Sequence, residues 1–375
     1  MKDLPVILMF YCFPLISIAA RFLGKGQLNY DYFWAPAFFV ALVLSLGVQY
    51  RKKYVVIIAW LFVLLFLKYG IPLLFNSNVL LYPWAMDCKW IVYLLFVVLW
   101  INKYGLPEGQ VIYNGSLFFS KVYILYSIYL LLIGDLGREG ILMETNYDGF
   151  MILMGFCLID LYKHNKRDWL IFIIATFFTL SRTGFVSLIL LLVYRIARKN
   201  IFYLLPIIPV AVGIVYFAIM LRGLDSVNNL DRFVFFHQAF QYLSETSIWN
   251  FFLGSTPGVS LNMSVVDGFQ WYIDNFEELR SLIGIYPFYF HSIYLRLVMT
   301  WGIIGFLLYF CFFVKKFFLS SFLPMRYFSL LILIQSISLS VMTIQNVSVL
   351  FFMMLFILMS EEKQYKLSLR KTILL

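Results

Sequence analysis

The sequence predicts an all-α, polytopic transmembrane helical bundle of about twelve spans with one large external loop. The first observation is composition: 63% of the 375 residues are hydrophobic and 13% are charged, whereas soluble domains carry roughly 25% charged residues. The second is that the apolar residues form runs, separated by breaks rich in charge, Gly, Pro or Asn. The third is one long hydrophilic segment late in the chain. Together they exclude an ordinary soluble enzyme.

The apolar runs predict the individual spans, because a helix needs about 20 mainly apolar residues to cross a bilayer. They lie near residues 4–20, 33–49, 54–67, 84–101, 112–134, 149–162, 168–181, 184–194, 201–221, 289–314, 325–341 and 347–360. The first run could be read as a signal peptide. Its length and its weakly charged start favour a retained first helix.

Basic clusters in alternate breaks predict the orientation, because Lys and Arg concentrate on the cytoplasmic side. Both termini are then cytoplasmic. Residues 1–221 form spans one to nine, 222–287 form a large periplasmic loop, 288–360 form spans ten to twelve, and 361–375 form a cytoplasmic tail. Topology thus explains the net charge of +10, and no nucleic acid is expected as a partner.

Arg182 stands out because residues 168–193 around it are almost wholly apolar. A guanidinium at membrane depth is costly and stays charged, so it indicates a site for an anion. Basic clusters flank this stretch on both sides, which predicts two helices joined by a turn. Arg182 would then line a recess open to the outside.

The loop of residues 222–287 holds seven of the nineteen acidic residues and many aromatic ones. Apolar side chains recur there at helical spacing after Asp231, which predicts an amphipathic helix that packs against the membrane domain through Phe233, Phe236, Phe240 and Leu243. A loop of this length is usually functional. The alternative is a passive connector.

His291 opens the tenth predicted span. On a continuous helix Gly302 and Gly305 fall within about 40° of it, and Arg296 about 140° away. This predicts close helix packing on the histidine face, with Arg296 pointing elsewhere. The alternative for His291 is a polar anchor at the membrane interface.

Other chemistry lacks support in the sequence. It contains no phosphate-binding glycine loop, no HExxH and no Cys/His cluster of metal spacing, so neither a metal nor another cofactor is expected. The four cysteines fall in apolar runs and are predicted to be small buried hydrophobes. An acidic group between spans five and six could bind a cation, although an ordinary solvated loop is favoured: Asp135, Glu139, Glu144 and Asp148.

Four short motifs occur in a characteristic order: SRTG at 181–184, DRFVFFHQAF at 231–240, FLGSTPG at 252–258 and HSIYLRLVMTWGIIG at 291–305. With a dozen spans and a late external loop, the chain resembles the Wzy-type polymerases of the O-antigen polymerase and ligase superfamily. The resemblance covers the whole architecture, although each motif is short. It implies a helical fold of the GT-C type.

The resemblance also implies an activity. Such an enzyme polymerises undecaprenyl-pyrophosphate-linked oligosaccharide repeats into O-antigen, capsular or exopolysaccharide chains. The transfer needs no metal and takes place at the periplasmic face of the bacterial inner membrane. Implied partners besides the lipid-linked donor are membrane lipid, a chain-length regulator protein and a flippase.

Arg suits bidentate pyrophosphate binding, and imidazole suits proton transfer near neutral pH. Predicted pyrophosphate ligands are Arg182 and Arg232, then Arg222 and Arg280. The predicted base is His291, with Asp267, Asp274 and Glu277 as alternatives. Two rivals remain: an O-antigen ligase that transfers the glycan to lipid A core, and a flippase or transporter. A transporter would be expected to show internal repeats and charges in many spans.

Overall fold

A computed structural model shows an all-helical chain. The structure describes residues 1–25, 28, 30–45, 50–134, 140–142, 144–162, 165, 167–198, 231–264, 269–270, 273, 282 and 284–373. In this part of the chain the β pairing is one isolated bridge between Leu261 and Ile285. The all-α fold class is therefore confirmed.

Fourteen helices are named here within the described residues. They are α1 (Leu4–Phe22), α2 (Asp31–Ser45), α3 (Lys52–Phe75), α4 (Leu81–Tyr104), α5 (Gly109–Leu132), α6 (Thr145–Cys157), α7 (Ile159–Tyr162), α8 (Asp168–Phe178), α9 (Arg182–Ala197), α10 (Asp231–Glu245), α11 (Ile248–Leu253), α12 (Ile293–Leu319), α13 (Leu323–Gln335) and α14 (Gln345–Ile373).

Five of these helices, α1, α3, α4, α5 and α12, have the length and apolar composition needed to cross a membrane. Three shorter apolar helices correspond to predicted spans two, seven and eleven. Span nine, at 201–221, lies outside the described residues. The chain is a helical membrane protein by these features, and the total of twelve spans stays a prediction.

Several helices extend beyond the predicted apolar runs because charged residues form part of them. Helix α3 continues beyond residue 67 through Lys68 to Phe75, and α4 begins at Leu81, three residues before its predicted start. Helix α12 begins at Ile293, four residues later than predicted, because Phe290 and His291 remain extended before it.

The centre of the bundle is α6, where every side chain from Tyr147 to Cys157 is buried. Helices α5, α8, α9 and α13 pack around it. Gly155 permits the approach of α5, since a Cβ at this position would lie 2.4 Å from the Ser116 hydroxyl. Asp148 is buried here with its carboxylate accepting from the Ile141 amide, so the prediction of a solvated loop was wrong for this residue.

Hydrogen bonds and ion pairs group the segments between helices at two ends of the bundle. One end, called the Glu362 end, contains the pairs Lys2–Glu108, Tyr113–Asp168, Tyr162–Glu361, Arg195–Asp160 and Lys316–Glu362. The other, called the Arg182 end, contains Tyr69–Asp87, Ser181–Asn146, Thr183–Ser338, Ser340–His291 and Arg296–Thr343. Breaks predicted to share a side of the membrane thus contact one another.

The cysteines fit their predicted role only in part. Cys88 and Cys157 are buried, and Cys12 is partly buried. Cys311 is exposed on the surface of α12, since the side of a membrane helix that faces lipid is also apolar.

Candidate functional site

The turn that carries Arg182 joins two helices, as predicted. Helix α8 ends at Phe178, Leu180 has a left-handed backbone with φ of 49°, and α9 begins at Arg182. Ser181 caps α9 by accepting the Gly184 amide at 3.0 Å. Arg182, in the first position of α9, is partly buried. A non-glycine residue in the left-handed region costs of order 1 kcal/mol, so the surrounding contacts must hold this turn.

Polar side chains from neighbouring elements supply those contacts. The Ser181 hydroxyl donates to the side-chain oxygen of Asn146 at 2.7 Å. The Thr183 hydroxyl lies 2.9 Å from that of Ser338. The Gln335 amide donates to the Ser187 hydroxyl at 2.9 Å. The turn is therefore fixed by α6 on one side and by the end of α13 on the other.

The segment from Gln335 to Thr343, here called the serine segment, connects α13 to α14 and is rich in buried hydroxyl groups: Ser336, Ser338, Ser340 and Thr343. Buried hydroxyls need hydrogen-bond partners. Ser338 pairs with α9 and Ser340 with the His291 segment, whereas Ser336 and Thr343 pair with Tyr309 and Arg296 of α12.

His291 lies in extended chain, two residues before α12, and is partly buried. The Ser340 hydroxyl donates to its carbonyl at 2.6 Å. Ser292 caps α12 by accepting the Leu295 amide and donates to the Ser336 carbonyl at 2.9 Å. The backbone at His291 is thus held by the serine segment.

Ser338 and Ser340 bring the two predicted site residues to one region. Ser338 contacts Thr183, the neighbour of Arg182, and Ser340 contacts His291. Two residues of extended chain span at most about 7 Å. The Arg182 turn and the His291 segment therefore both contact one short stretch of backbone.

The amino-terminal ends of α9 and α12 both lie at this stretch. A helix carries roughly half a positive charge at its amino-terminal end. Two such ends and the Arg182 guanidinium make this region electropositive and suited to an anion.

Arg232 belongs to α10, which packs beside His291. Phe235 stacks on Phe269 with ring centroids 4.7 Å apart and meets Phe290 edge-on at 6.1 Å. Arg232 precedes Phe235 by three residues, so the first turn of α10 lies near the His291 segment. The side chain of Arg232 lies outside the described part of the structure.

The predicted packing face of α10 was wrong for Phe236 and Phe240, and the side chain of Phe233 lies outside the described part of the structure. Phe235 and Ala239 are buried, whereas Phe236 is 37% and Phe240 75% exposed. Leu243 does pack against the same cluster. The stacking of Phe235 on Phe269 fixes the rotation of the helix, and helical spacing alone could not reveal this partner.

The predicted histidine face of α12 was also wrong, because the helix is not continuous. Gly302 has φ of 66° and ψ of −171°, which breaks α12. A Cβ at Gly302 would lie 2.2 Å from the Phe252 carbonyl oxygen. The glycine therefore receives the end of α11 rather than a neighbouring span.

Five of the predicted site residues lie outside the described residues, and the structure does not place them. They are Arg222, Arg280, Asp267, Asp274 and Glu277.

Sequence reasoning missed three charged residues at the Arg182 end: Lys68, Asp87 and Arg296. Asp87 is 1% and Arg296 6% exposed. Lys68 directly follows predicted span three, and Asp87 falls inside predicted span four. Their signal was that each is flanked by apolar residues on both sides, as Arg182 is.

Comparisons of the chain with models of protein families, with curated proteins and with solved structures each gave no match.

Proposed function

We propose that the chain is a polysaccharide polymerase that joins polyprenyl-pyrophosphate-linked oligosaccharides at a site between Arg182 and His291. The observation that supports the proposal is that Thr183, the neighbour of Arg182, and the His291 backbone contact Ser338 and Ser340, two residues apart in one segment. The proposal extends to twelve spans, a GT-C-type fold and a site on the periplasmic side of a bacterial inner membrane.

The reaction begins at a hydroxyl of the acceptor repeat, whose oxygen attacks the anomeric carbon of the donor sugar. His291 takes the hydroxyl proton. The bond from the anomeric carbon to the phosphate oxygen breaks, and polyprenyl pyrophosphate leaves with the bonding electrons. The balance is one new glycosidic bond, one lost sugar–phosphate bond and one proton transferred to the imidazole.

Arg182 and Arg232 stabilise the departing pyrophosphate. Charge grows on the leaving group in the transition state, so cations fixed beforehand lower the barrier. The guanidinium fork can bind two phosphate oxygens together, which a lysine ammonium cannot reproduce. The electropositive ends of α9 and α12 act in the same direction.

The function is tested by substitution of Arg182 and His291 in the native strain. Arg182→Ala should abolish long polymer, and Arg182→Lys should restore it only partly. His291→Ala should stop transfer while donor binding persists. Matched controls are Arg167→Ala and His237→Ala, since both native side chains are exposed and Arg167 lies at the Glu362 end beside Asp168.

Glycan length on a lipopolysaccharide gel reports the result. A strain lacking the protein should show core plus one repeat. A bare core with accumulated lipid-linked polymer would instead identify a ligase. Normal polymer from both Arg182→Ala and His291→Ala at native expression would refute the proposed site.

A further inference from the structure

Three charged side chains from three helices lie together beneath the segment Phe252–Gly258, here called the glycine segment. They are Lys68 of α3, Asp87 of α4 and Arg296 of α12. Ionisable groups inside a membrane protein are costly and usually functional. The proposed transfer gives none of the three a role.

Lys68 binds the glycine segment directly. Its ammonium donates to the Leu253 carbonyl at 2.9 Å and to the Ser255 carbonyl at 3.0 Å. Leu253 is the last residue of α11, where helix carbonyls lack partners within the helix. One lysine thus closes the end of α11 and fixes the chain that follows.

Asp87 binds the other end of the same segment. Its Oδ2 accepts the Gly258 amide at 3.4 Å, and the Gly258 carbonyl in turn accepts the Leu80 amide at 2.9 Å. Arg296 and Lys68 both attract the Asp87 carboxylate electrostatically. The segment is therefore held at both ends by side chains of opposite charge.

Arg296 connects this cluster to the serine segment. Its guanidinium donates to the Met86 carbonyl at 2.7 Å and to the Thr343 hydroxyl at 2.9 Å. Thr343 donates to the Ser340 carbonyl at 3.1 Å, and Ser340 donates to that of His291. An unbroken chain of hydrogen bonds thus runs from Arg296 to the His291 backbone.

The fit of the glycine segment is close along its length. A Cβ at Gly254 would lie 2.3 Å from the Thr300 backbone, and one at Gly258 would lie 2.9 Å from the Leu80 carbonyl oxygen. Ser255 donates to the Met299 carbonyl through both its amide, at 2.7 Å, and its hydroxyl, at 2.8 Å. The segment is a docked element of the bundle.

We infer that Lys68 and Asp87 are positioning residues that clamp the glycine segment onto α3, α4 and α12. The clamp holds α11 at the helix break of Gly302 and keeps the loop helices beside His291. Its consequence for glycan transfer rests on the proposed function. The clamp itself does not depend on the proposed function.

Charge compensation alone is the competing explanation, and the net charge of variants separates the two. Lys68→Met leaves Asp87 balanced by Arg296, and the double variant with Asp87→Asn keeps the native net charge of this cluster. If the charges serve only to neutralise one another, the glycine segment should stay docked in both variants, as in the native protein. A clamp predicts that both release the segment.

The test measures thiol reactivity at Ser255→Cys in detergent-purified protein whose four native cysteines are replaced. Residue 255 is 6% exposed, so a maleimide should react slowly while the segment is docked. Lys68→Met and the double variant should raise the rate at least about tenfold, since hydrogen bonds from a charged donor are lost. Lys68→Arg should keep most of the protection, because its fork can serve both carbonyls.

Two further cysteines serve as controls in separate proteins. Trp249→Cys, at a position 72% exposed, should react quickly in every background, and Ser348→Cys, fully buried in α14, should stay protected. If Lys68→Met also raises the reaction rate of Ser348→Cys, the protein has opened more widely and the milder Lys68→Gln is measured instead. In that background Ser255→Cys should react at a rate between those of the native and Lys68→Met proteins. Native protection of Ser255→Cys in Lys68→Met, in the double variant or in Lys68→Gln overturns the clamp.

Polymer synthesis by the same variants tests the consequence separately. Lys68→Met should shorten the glycan without loss of donor binding, and Lys68→Arg should restore its length. Native polymer from a protein with an open segment would overturn the positioning role. A wrong polymerase assignment would leave the thiol measurements unchanged.

Discussion

The two ends of the bundle hold their cations in different ways. At the Glu362 end carboxylates pair with several of them, as in Lys316–Glu362 at 2.7 Å and Lys366–Glu362 at 3.0 Å, although Lys103 and Arg326 donate to backbone carbonyls there. At the Arg182 end Lys68 and Arg296 donate to backbone carbonyls. A carbonyl satisfies the hydrogen bonds of a cation without cancelling its charge. In this cluster Lys68 and Arg296 face one carboxylate, that of Asp87, so the three side chains keep an excess of one positive charge.

The largest expected effect is a difference in stability between alanine substitutions at Gly302 and Gly105, two glycines with positive φ. Gly302→Ala should destabilise the protein by at least about 3 kcal/mol, since a strained backbone adds to a collision with the Phe252 carbonyl. Gly105, at the Glu362 end, has φ of 92° and nothing within 4 Å of a built Cβ. Gly105→Ala carries the backbone strain without the collision and should cost about 1–3 kcal/mol, less than Gly302→Ala. Thermal unfolding in detergent measures both, and equal losses would show that α11 does not rest on the break in α12.

The next effect concerns how the loop attaches to the Arg182 end. Phe235→Ala should destabilise the docked α10 by about 3 kcal/mol, because it removes a ring that is 4% exposed. Phe240→Ala, at a site 75% exposed, should change it by less than about 0.5 kcal/mol. Hydrogen exchange of the α10 amides measures the difference. Equal protection in the two variants would contradict the packing face described here.

A smaller effect on glycan transfer should distinguish a serine at the Arg182 end from a serine at the Glu362 end. Ser340→Ala removes a hydrogen bond to the His291 carbonyl, which should cost about 1 kcal/mol and reduce transfer. Ser320 donates to the Glu362 carboxylate at 2.8 Å. Ser320→Ala should lose at least as much stability, roughly 1.5–3 kcal/mol, yet leave transfer intact. Melting curves and polymer yields from both strains decide, and a transfer defect in the Ser320 variant would weaken the distinction.

The smallest effect is a pH dependence at the Glu362 end, where two adjacent carboxyls differ. Burial raises the pKa of Glu361, and hydrogen bonds from Tyr162 and Gly109 offset this only in part. Burial also acts to raise the pKa of Glu362, but hydrogen bonds from Lys316, Lys366 and Ser320 outweigh it and leave that pKa below its ordinary value.

The two signs follow from the protonation of each state. Glu361 is harder to ionise in the folded state, so lowering the pH through its raised pKa should relieve a destabilisation. Glu362 contributes stability above its unfolded pKa, and this is lost as pH falls through its lower folded pKa. Stability should therefore rise slightly as the pH falls from neutral toward the ordinary glutamate pKa of about 4.3, and decrease at lower pH. Glu361→Gln should remove the rise, and a rise that persists in this variant would assign it to another group.

The sequence predicted elements whose signal is local. The turn at Ser181 and Arg182 followed from basic residues on both sides of an apolar stretch too polar at its centre for one helix, and the structure confirms two helices there. The predicted helix after Asp231 also exists as α10. Local composition was sufficient in both cases.

Features that depend on distant partners were not predictable in the same way. Phe235 is buried because Phe269 and Phe290 lie against it, and Gly302 breaks α12 because α11 occupies the space beside it. A prediction from the spacing of apolar residues treats each helix as isolated and regular. Lys68 and Asp87 were missed for a related reason, since a charge near the end of an apolar run is indistinguishable from a span border until its partners are known.

The π-helical segment Leu65–Gly70 within α3 sets the direction of Lys68. A π turn contains more residues than an α turn, and each residue added or removed rotates the rest of a helix by about 100°. A single-residue deletion in this segment would keep α3 apolar and nearly as long, yet aim its lysine away from the Leu253 carbonyl. The contact between Lys68 and the glycine segment thus depends on the helical register of this one span.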